Sequence, residues 1–284
     1  MNNVLIWCHR KLGPVARKLG VQPIARKVYR KIAARYPADS LLTARQNGRV
    51  WKLRRDVAER GEFQEMDTIT WLREVVRPGM TVIDIGANVG QMTLEMAALV
   101  GAGGRVIAIE PGLGNLEYLR QHVEGNGFGD RVTIVQAACA DEDGGEVTFF
   151  VASTDGQVAA VGSGHNIVGA DAIFKQNSRL QVREQRVPRV SVDGLCIRLG
   201  VQPAVIKVDV EGAELLVVKG ARKTLTDLRP AVRVAFHPFA FQDAAAASAE
   251  LCALADQAGY RLDGVNPNDA LLLAEYNWIP KRPT

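Results

Sequence analysis

The sequence predicts an α/β fold built on a mostly parallel, doubly wound sheet, and three observations carry that prediction. Short apolar runs alternate with helical stretches from residue 81 onward, as happens when helices cover both faces of a parallel sheet. Thr81-Val-Ile-Asp-Ile-Gly-Ala-Asn-Val-Gly90 is an apolar run tipped by an acid, then a turn of small residues, then a helix-forming stretch. Arg105-Val-Ile-Ala-Ile-Glu-Pro111 repeats the plan, with proline stopping the strand after its acid.

The 284 residues are 47% hydrophobic and 23% charged, enough for one large domain with an appendage. No apolar run reaches the roughly 18 residues that a spanning helix needs, and the start lacks the unbroken apolar core of a secretory signal. Cys8, Cys139, Cys196 and Cys252 show no C-x-x-C spacing. That predicts neither a disulfide framework nor a zinc site, and it suits a reducing cytoplasm. The 35 Lys and Arg against 31 Asp and Glu give a net charge of +4, yet nine of the basic residues and no acidic one fall within 1–36. The other 26 basic and 31 acidic residues leave a body at −5. The division is therefore a basic arm over 1–40 and a globular domain over 41–284.

In the arm, Val21, Ile24, Ala25, Val28, Tyr29, Ile32 and Ala33 recur at helical spacing, with Arg26, Lys27, Arg30, Lys31 and Arg35 around them. Such a helix either packs its apolar stripe on the body, with the cations solvated, or lies peripherally on the anionic inner face of a membrane. Few aromatics and an acidic body argue against nucleic acid as a partner. Residues 41–45 and 50–53 around Asn47-Gly48 predict a hairpin, and 64–76 a helix ended by Pro78-Gly79. Strands are expected at 81–85, 105–109, 132–136, 204–208 and 231–236, and helices at 90–100, 113–125, 213–226 and 244–258. A late strand pair is expected at 260–264 and 270–274. The weakly periodic stretch 152–184 reads as a long loop, the best candidate for an acceptor lid.

Gly86 and Gly90 let the chain turn sharply and let a ligand approach the start of the next helix. Asp84, two residues earlier, would repel a pyrophosphate, and Gly86-x-Asn88-x-Gly90 does not match G-x-G-x-x-G. Glu110 is placed like the acid that binds ribose at the second strand tip of nucleotide-binding α/β folds. Two adjacent acidic tips suggest an adenosyl cofactor bearing a positive sulfonium.

These motifs, followed by Val205-Ile-Lys-Val-Asp-Val-Glu-Gly-Ala-Glu214, preceded in turn by Val192-Asp-Gly-Leu195 and followed by Lys219-Gly-Ala221, resemble the FkbM family of S-adenosylmethionine-dependent methyltransferases over about 60–280. The resemblance implies the class I methyltransferase fold, a Rossmann-like seven-stranded sheet with the last strand antiparallel, here carrying an N-terminal helical and hairpin extension. It implies methyl transfer, usually to a hydroxyl oxygen of a sugar, glycolipid or related natural product. Carried over by position, Asp84, Gly86, Asn88 and Gly90 would line the methionine and sugar part of the cofactor, and Glu110 would take the ribose hydroxyls. Asp141, beside Glu142 and Asp143, would meet the adenine amino group or simply belong to the turn ending in Gly144-Gly145.

Methyl transfer from a sulfonium needs alignment in a dry pocket and an oxygen that can lose its proton. Asp209 and Glu211, two apart at the end of the fourth strand, would face the methyl group, Asp209 orienting or deprotonating the acceptor. Glu211 would contact the acceptor or support a hard cation such as Mg²⁺. Lys207 shares their parity, and its buried charge requires one of them as a partner, so a purely structural ion-pair network is the competing reading. Glu214 reads as a helix-dipole partner. His237, after Val232 to Phe236 and before Pro238, reaches the same sheet edge as a candidate proton acceptor or a plain strand terminator. His165 in the lid is a weaker candidate, and His122 on a helix surface and His9 in the arm read as structural or solvated.

Three rivals remain. A nicotinamide-dependent oxidoreductase lacks its third glycine and conflicts with Asp84. A nucleic-acid methyltransferase would need an Asn/Asp-Pro-Pro-aromatic turn where Asp209-Val-Glu-Gly212 stands, and Asn266-Pro-Asn-Asp269 comes too late. A catalytically silent, arm-tethered binding module would not need the acids at 84, 110, 209 and 211.

Overall fold

The computed structural model describes residues 35–37, 39–60, 65–154, 157–158, 167, 181–263 and 274–281. The arm up to residue 34, His9, His165 and most of the expected lid lie outside the described residues.

The chain opens with strands β1, Leu41–Gln46, and β2, Arg49–Arg54. They pair antiparallel across Asn47 and Gly48, whose φ values of 51° and 82° suit the tight mirror-image turn of a hairpin. Leu42, Trp51 and Leu53 point inward and are buried. Helices α1, Arg55–Arg60, and α2, Met66–Val75, follow. Then come β3, Thr81–Ile85; α3, Gln91–Val100; β4, Arg105–Ile109; α4, Leu113–Gly125; and β5, Val132–Val135.

A second, smaller sheet interrupts the alternation. It contains β6, Ala138–Cys139; β7, Glu146–Thr154; β8, Gln157–Val158; and β9, Gln181–Val190, in the order β6-β9-β7-β8. The main fold resumes with α5, Val192–Leu199; β10, Val205–Val208; α6, Glu214–Lys219; a π-helical turn at Thr224–Leu228; and β11, Ala231–Phe236. A 3₁₀ turn at Pro238–Ala240, then α7, Ala244–Gln257; β12, Tyr260–Asp263; and β13, Ala274–Pro280, complete it.

The main sheet has seven strands in the order β12-β13-β11-β10-β3-β4-β5. β13 runs antiparallel to β11 and β12, and the pairs from β11 to β5 are parallel, as expected for this fold class. Alternate residues feed opposite layers: Ile83, Ile107, Ile206 and Val232 join one core, Val82, Val106 and Val205 the other. The connections reverse direction between β3 and β10, and ligands of open α/β sheets bind outside the strand ends at such a point.

Three expectations are corrected. The loop expected at 152–184 begins and ends as strand, because β7 runs to Thr154 and β9 starts at Gln181. The helix expected at 213–226 breaks at Gly220, into α6 and the π turn. The described part of the last strand, Ala274–Pro280, runs past the expected end at 274, with Tyr276 and Trp278 alternating into the core; residues 270–273 lie outside the described residues.

Candidate active site

A cleft of about 640 Å³, counting its open mouth, lies at the carboxyl ends of β3, β4 and β10. Gly86, Asn88, Glu110, Asp209 and Glu211 line it, so five of the residues singled out in the sequence meet in one place. His237 reaches Asp209 and Glu211 from the end of β11. Asp84 and Gly90 lie beneath the cleft and not in its wall: Asp84 is fully buried, and Gly90 begins α3 against Leu119. Asp141 is exposed on the turn after β6 and is not among the residues that line the cleft.

At the β4 tip, Glu110 accepts hydrogen bonds from Asn88 N and Gly112 N, each at 2.8 Å, and from Asn115 Nδ2 at 3.1 Å. Burial pushes its carboxyl up from the ordinary range against the pull of these donors. A carboxylate offers about four acceptor positions, so one remains for a ligand. Asn115 Oδ1 adds another: it is buried in the cleft wall without a hydrogen-bond partner among the described residues. Ala137, Ala138, Cys139 and Phe149 give the far end an apolar lining, with Phe149 delivered by the second sheet. Acceptors for hydroxyls beside an apolar slot fit an adenosine moiety.

On the other side, Lys207 joins three elements. Its Nζ lies 3.5 Å from Asp84 Oδ1, 3.1 Å from Asp209 Oδ2 and 3.4 Å from Gly86 O. Burial opposes the ammonium, but the facing carboxylates of Asp209, Asp84 and Glu65 outweigh it and hold its pKa well above the ordinary value. Asp84 also accepts a 2.6 Å hydrogen bond from Thr93 Oγ1, yet its complete burial still lifts its carboxyl above the usual range. Asp209 shows the reverse balance: burial raises its pKa, and Lys207 and His237 more than offset that, keeping it ionised.

His237 Nδ1 donates to Glu214 Oε1 at 2.7 Å, and Glu214 also accepts from Gly212 N at 2.9 Å. Burial would lower the imidazole pKa, but that bond and the charges of Glu214, Glu211 and Asp209 lift it to about 9. That balance favours the protonated ring, whose Nε2 faces Asp209 and Glu211. Glu214 is more than a dipole partner, since it orients His237. Its place in the first turn of α6 carried the helix-dipole signal only.

Asn115 and Phe149 were missed. Asn115 is an ordinary residue of a first helical turn, while the alternating run Val147 to Val151 marks a strand without saying what it covers. His122 is corrected: it is fully buried, with Nδ1 at 2.6 Å from Val89 O and Nε2 accepting from Arg54 N at 2.9 Å.

This strand order, with two acidic tips on one side of the switch point and a carboxylate pair on the other, defines the class I methyltransferase fold. The chain belongs to the FkbM methyltransferase family, whose model, Methyltransferase FkbM domain, matches residues 84–262. The ubiquinone/menaquinone biosynthesis C-methyltransferase UbiE of Hahella chejuensis is 29% identical over 111 residues, 39% of this chain and 39% of that protein. The chain thus matches about two fifths of that relative's length. The solved Methyltransferase FkbM of Methylobacillus flagellatus is 19% identical with a TM-score of 0.43, over 74% of this chain and 50% of that one. A SAM-dependent O-methyltransferase of Thermotoga maritima is 14% identical with a TM-score of 0.42, over 78% of this chain and 68% of that one.

Proposed function

We propose that the protein transfers a methyl group from S-adenosylmethionine to a hydroxyl oxygen of a sugar, glycolipid or related natural product. The observation that carries this is the placing of Asp209 and Glu211 across one cleft from Glu110 and Asn115. Bound there, the cofactor supplies a methyl carbon on a sulfonium, a leaving group suited to in-line displacement. Glu110 and Asn115 hold the ribose, and the apolar slot of Ala138, Cys139 and Phe149 receives the base. Lys207 ties the turn at Gly86 to Asp209, fixing the cofactor side relative to the acceptor side. Asp209 and Glu211 receive the acceptor hydroxyl. An oxygen becomes strongly acidic as it gains a methyl group, so a weak acceptor of its proton suffices.

Calorimetry with S-adenosylhomocysteine and NAD tests the cofactor class: binding of the first and not the second is expected. Isotope-labelled cofactor incubated with nucleotide sugars, glycolipids and free sugars then tests the acceptor class. Asp209→Asn is expected to keep S-adenosylhomocysteine affinity and lose turnover by at least about 100-fold. Loss of cofactor binding instead would make Asp209 structural. The similarity to a C-methyltransferase favours a second reading, transfer to carbon, which the position of the new methyl group in the product's NMR spectrum separates. The basic arm is proposed to rest on an anionic membrane surface, bringing the cleft to a lipid-linked acceptor.

A further inference from the structure

We propose that Asp209, Glu211 and His237 form a binding site for one divalent ion of the borderline class, Mn²⁺, Fe²⁺ or Zn²⁺, a proposal that rests on the methyl-transfer reading of the same cleft. One ligand atom from each residue lies within 4.8 Å of the other two. His237 Nε2 stands 3.6 Å from Asp209 Oδ1 and 3.7 Å from Glu211 Oε2. Those gaps are long for hydrogen bonds, but donors about 2.1 Å from a shared ion stand roughly 3.4–3.7 Å apart at tetrahedral to trigonal angles.

The surroundings are arranged to aim these atoms. Nδ1 donates to Glu214 Oε1 at 2.7 Å, which turns Nε2 toward the two carboxylates, and an ion bound there would displace the Nε2 proton. A carboxylate behind a ligating histidine is the usual outer support of a metal site. Lys207 holds Asp209 Oδ2 at 3.1 Å, which leaves Oδ1 directed at His237. Both supports come from outside the three ligands, and Glu214 is fully buried. Asp209 and Glu211 keep side-chain exposures of 23% and 19%, so the site opens onto the cleft. Three protein ligands leave an ion short of its full coordination, with room for water or an acceptor oxygen.

The ligand set also sets the metal. The sequence suggested Mg²⁺, but Mg²⁺ favours all-oxygen shells, and an imidazole among the ligands shifts preference to Mn²⁺, Fe²⁺ or Zn²⁺. An ion held by Asp209, Glu211 and His237 would acidify an acceptor hydroxyl bound at its open position, and that proton would leave to bulk solvent through the mouth of the cleft. The new C–O bond then forms as the S–C bond breaks, with its electron pair staying on sulfur to give a neutral thioether.

The test uses the full chain after dialysis against a chelator. MnCl₂ binding is followed by the loss of the free-ion electron paramagnetic resonance signal, and ZnCl₂ and MgCl₂ binding by calorimetry. One equivalent of Mn²⁺ or Zn²⁺ should bind at least about 10-fold more tightly than Mg²⁺, and Glu211→Gln, Asp209→Asn and His237→Gln should each weaken it by at least about 10-fold. Circular dichroism checks each variant's folding; Glu211→Gln, on a partly exposed turn, keeps the test open if His237→Gln fails to fold. No binding at millimolar Mn²⁺ and Zn²⁺, or binding that all three variants retain, overturns the proposal. A chain that binds S-adenosylhomocysteine but no ion overturns the metal site alone. One that binds an ion but no S-adenosylhomocysteine overturns the methyl-transfer reading.

Discussion

Lys207 shows what one residue's placement on a strand commits the site to. It shares parity with Asp209, and the register of β10 against β3 sets it opposite Asp84. Its charge is buried, so the pairings with Asp84 and Asp209 are required for the fold as well as for the site. Lys207→Met leaves two carboxylates at the sheet edge without their cation, and urea unfolding at neutral pH should show a loss of about 3–5 kcal/mol. That pairing was legible, because a lysine inside an apolar run has to find an acid of the same parity. His122 was not legible, since a helical wheel places it at random until the hairpin covers it. The carbonyl of Val89 fixes the proton on Nδ1, Nε2 accepts from Arg54 N, and burial pushes the ring's pKa down to about 4. With the folded value below the ordinary 6.5, this neutral ring stabilises the fold fully above pH 6.5 and loses that contribution as pH falls toward 4. His122→Leu should therefore be less stable than the parent at pH 7. The gap should narrow by roughly 3 kcal/mol between pH 6.5 and 4, read from urea midpoints.

Elements meet closely at two glycines, and these explain motifs that the sequence displayed without their reason. At Gly86 the φ is 77°, and a Cβ would stand 1.8 Å from the carbonyl oxygen of Asp209, so the turn after β3 and the end of β10 touch backbone to backbone. Gly220, in the Lys219-Gly-Ala motif, has an ordinary helical φ, but a Cβ there would stand 2.0 Å from Ala140 O. Asp193, from the other flanking motif, accepts hydrogen bonds from Lys223 N and Thr224 N and caps the π turn just beyond. Gly220→Ala should thus cost about 1–3 kcal/mol or more through overlap, whereas Gly103→Ala, with nothing within 4 Å of its Cβ, should stay within about 0.5 kcal/mol. Thermal unfolding of both variants decides this, and equal stabilities would remove the packing account of the motif. Most of the main sheet could be read in advance because its parallel strands are short apolar runs, several of them with an acid at or near the tip, as at Asp84, Glu110 and Asp209. The second sheet could not: Glu146 to Thr154 and Gln181 to Val190 are its two central strands, and each needs the other as partner across a long gap in sequence. The cleft's carboxylates followed from the main strands, while Phe149 and Asn115 followed from elements whose packing no local pattern states.

At the scale of the whole molecule the chain is electrostatically two-faced. No helix among the described residues is long and apolar enough to cross a membrane. The hairpin that follows the arm is fastened to the body: Lys52 N donates to Asn126 Oδ1 at 2.9 Å, and Arg55 donates to the carbonyl of Tyr36 at 2.6 Å. The arm thus leaves from a fixed anchor at Tyr36, and a truncation should stop before it. The body, with 26 basic against 31 acidic residues, carries −5 and is repelled by an anionic bilayer, while the nine cations of residues 1–36 are attracted to it. Each cation near such a surface contributes about 1 kcal/mol, screened over a Debye length of about 8 Å at physiological salt. Full-length protein should therefore sediment with vesicles containing anionic lipid, not with neutral ones, and should come off as salt is raised. A chain lacking residues 1–34 should lose that binding by at least about 100-fold while keeping its thermal midpoint and its affinity for S-adenosylhomocysteine. If the shortened chain sediments as well as the parent, the membrane role is wrong. A fall in its thermal midpoint would instead assign the arm's apolar stripe to the body, because packing against the sheet's helices would then hold part of the fold together.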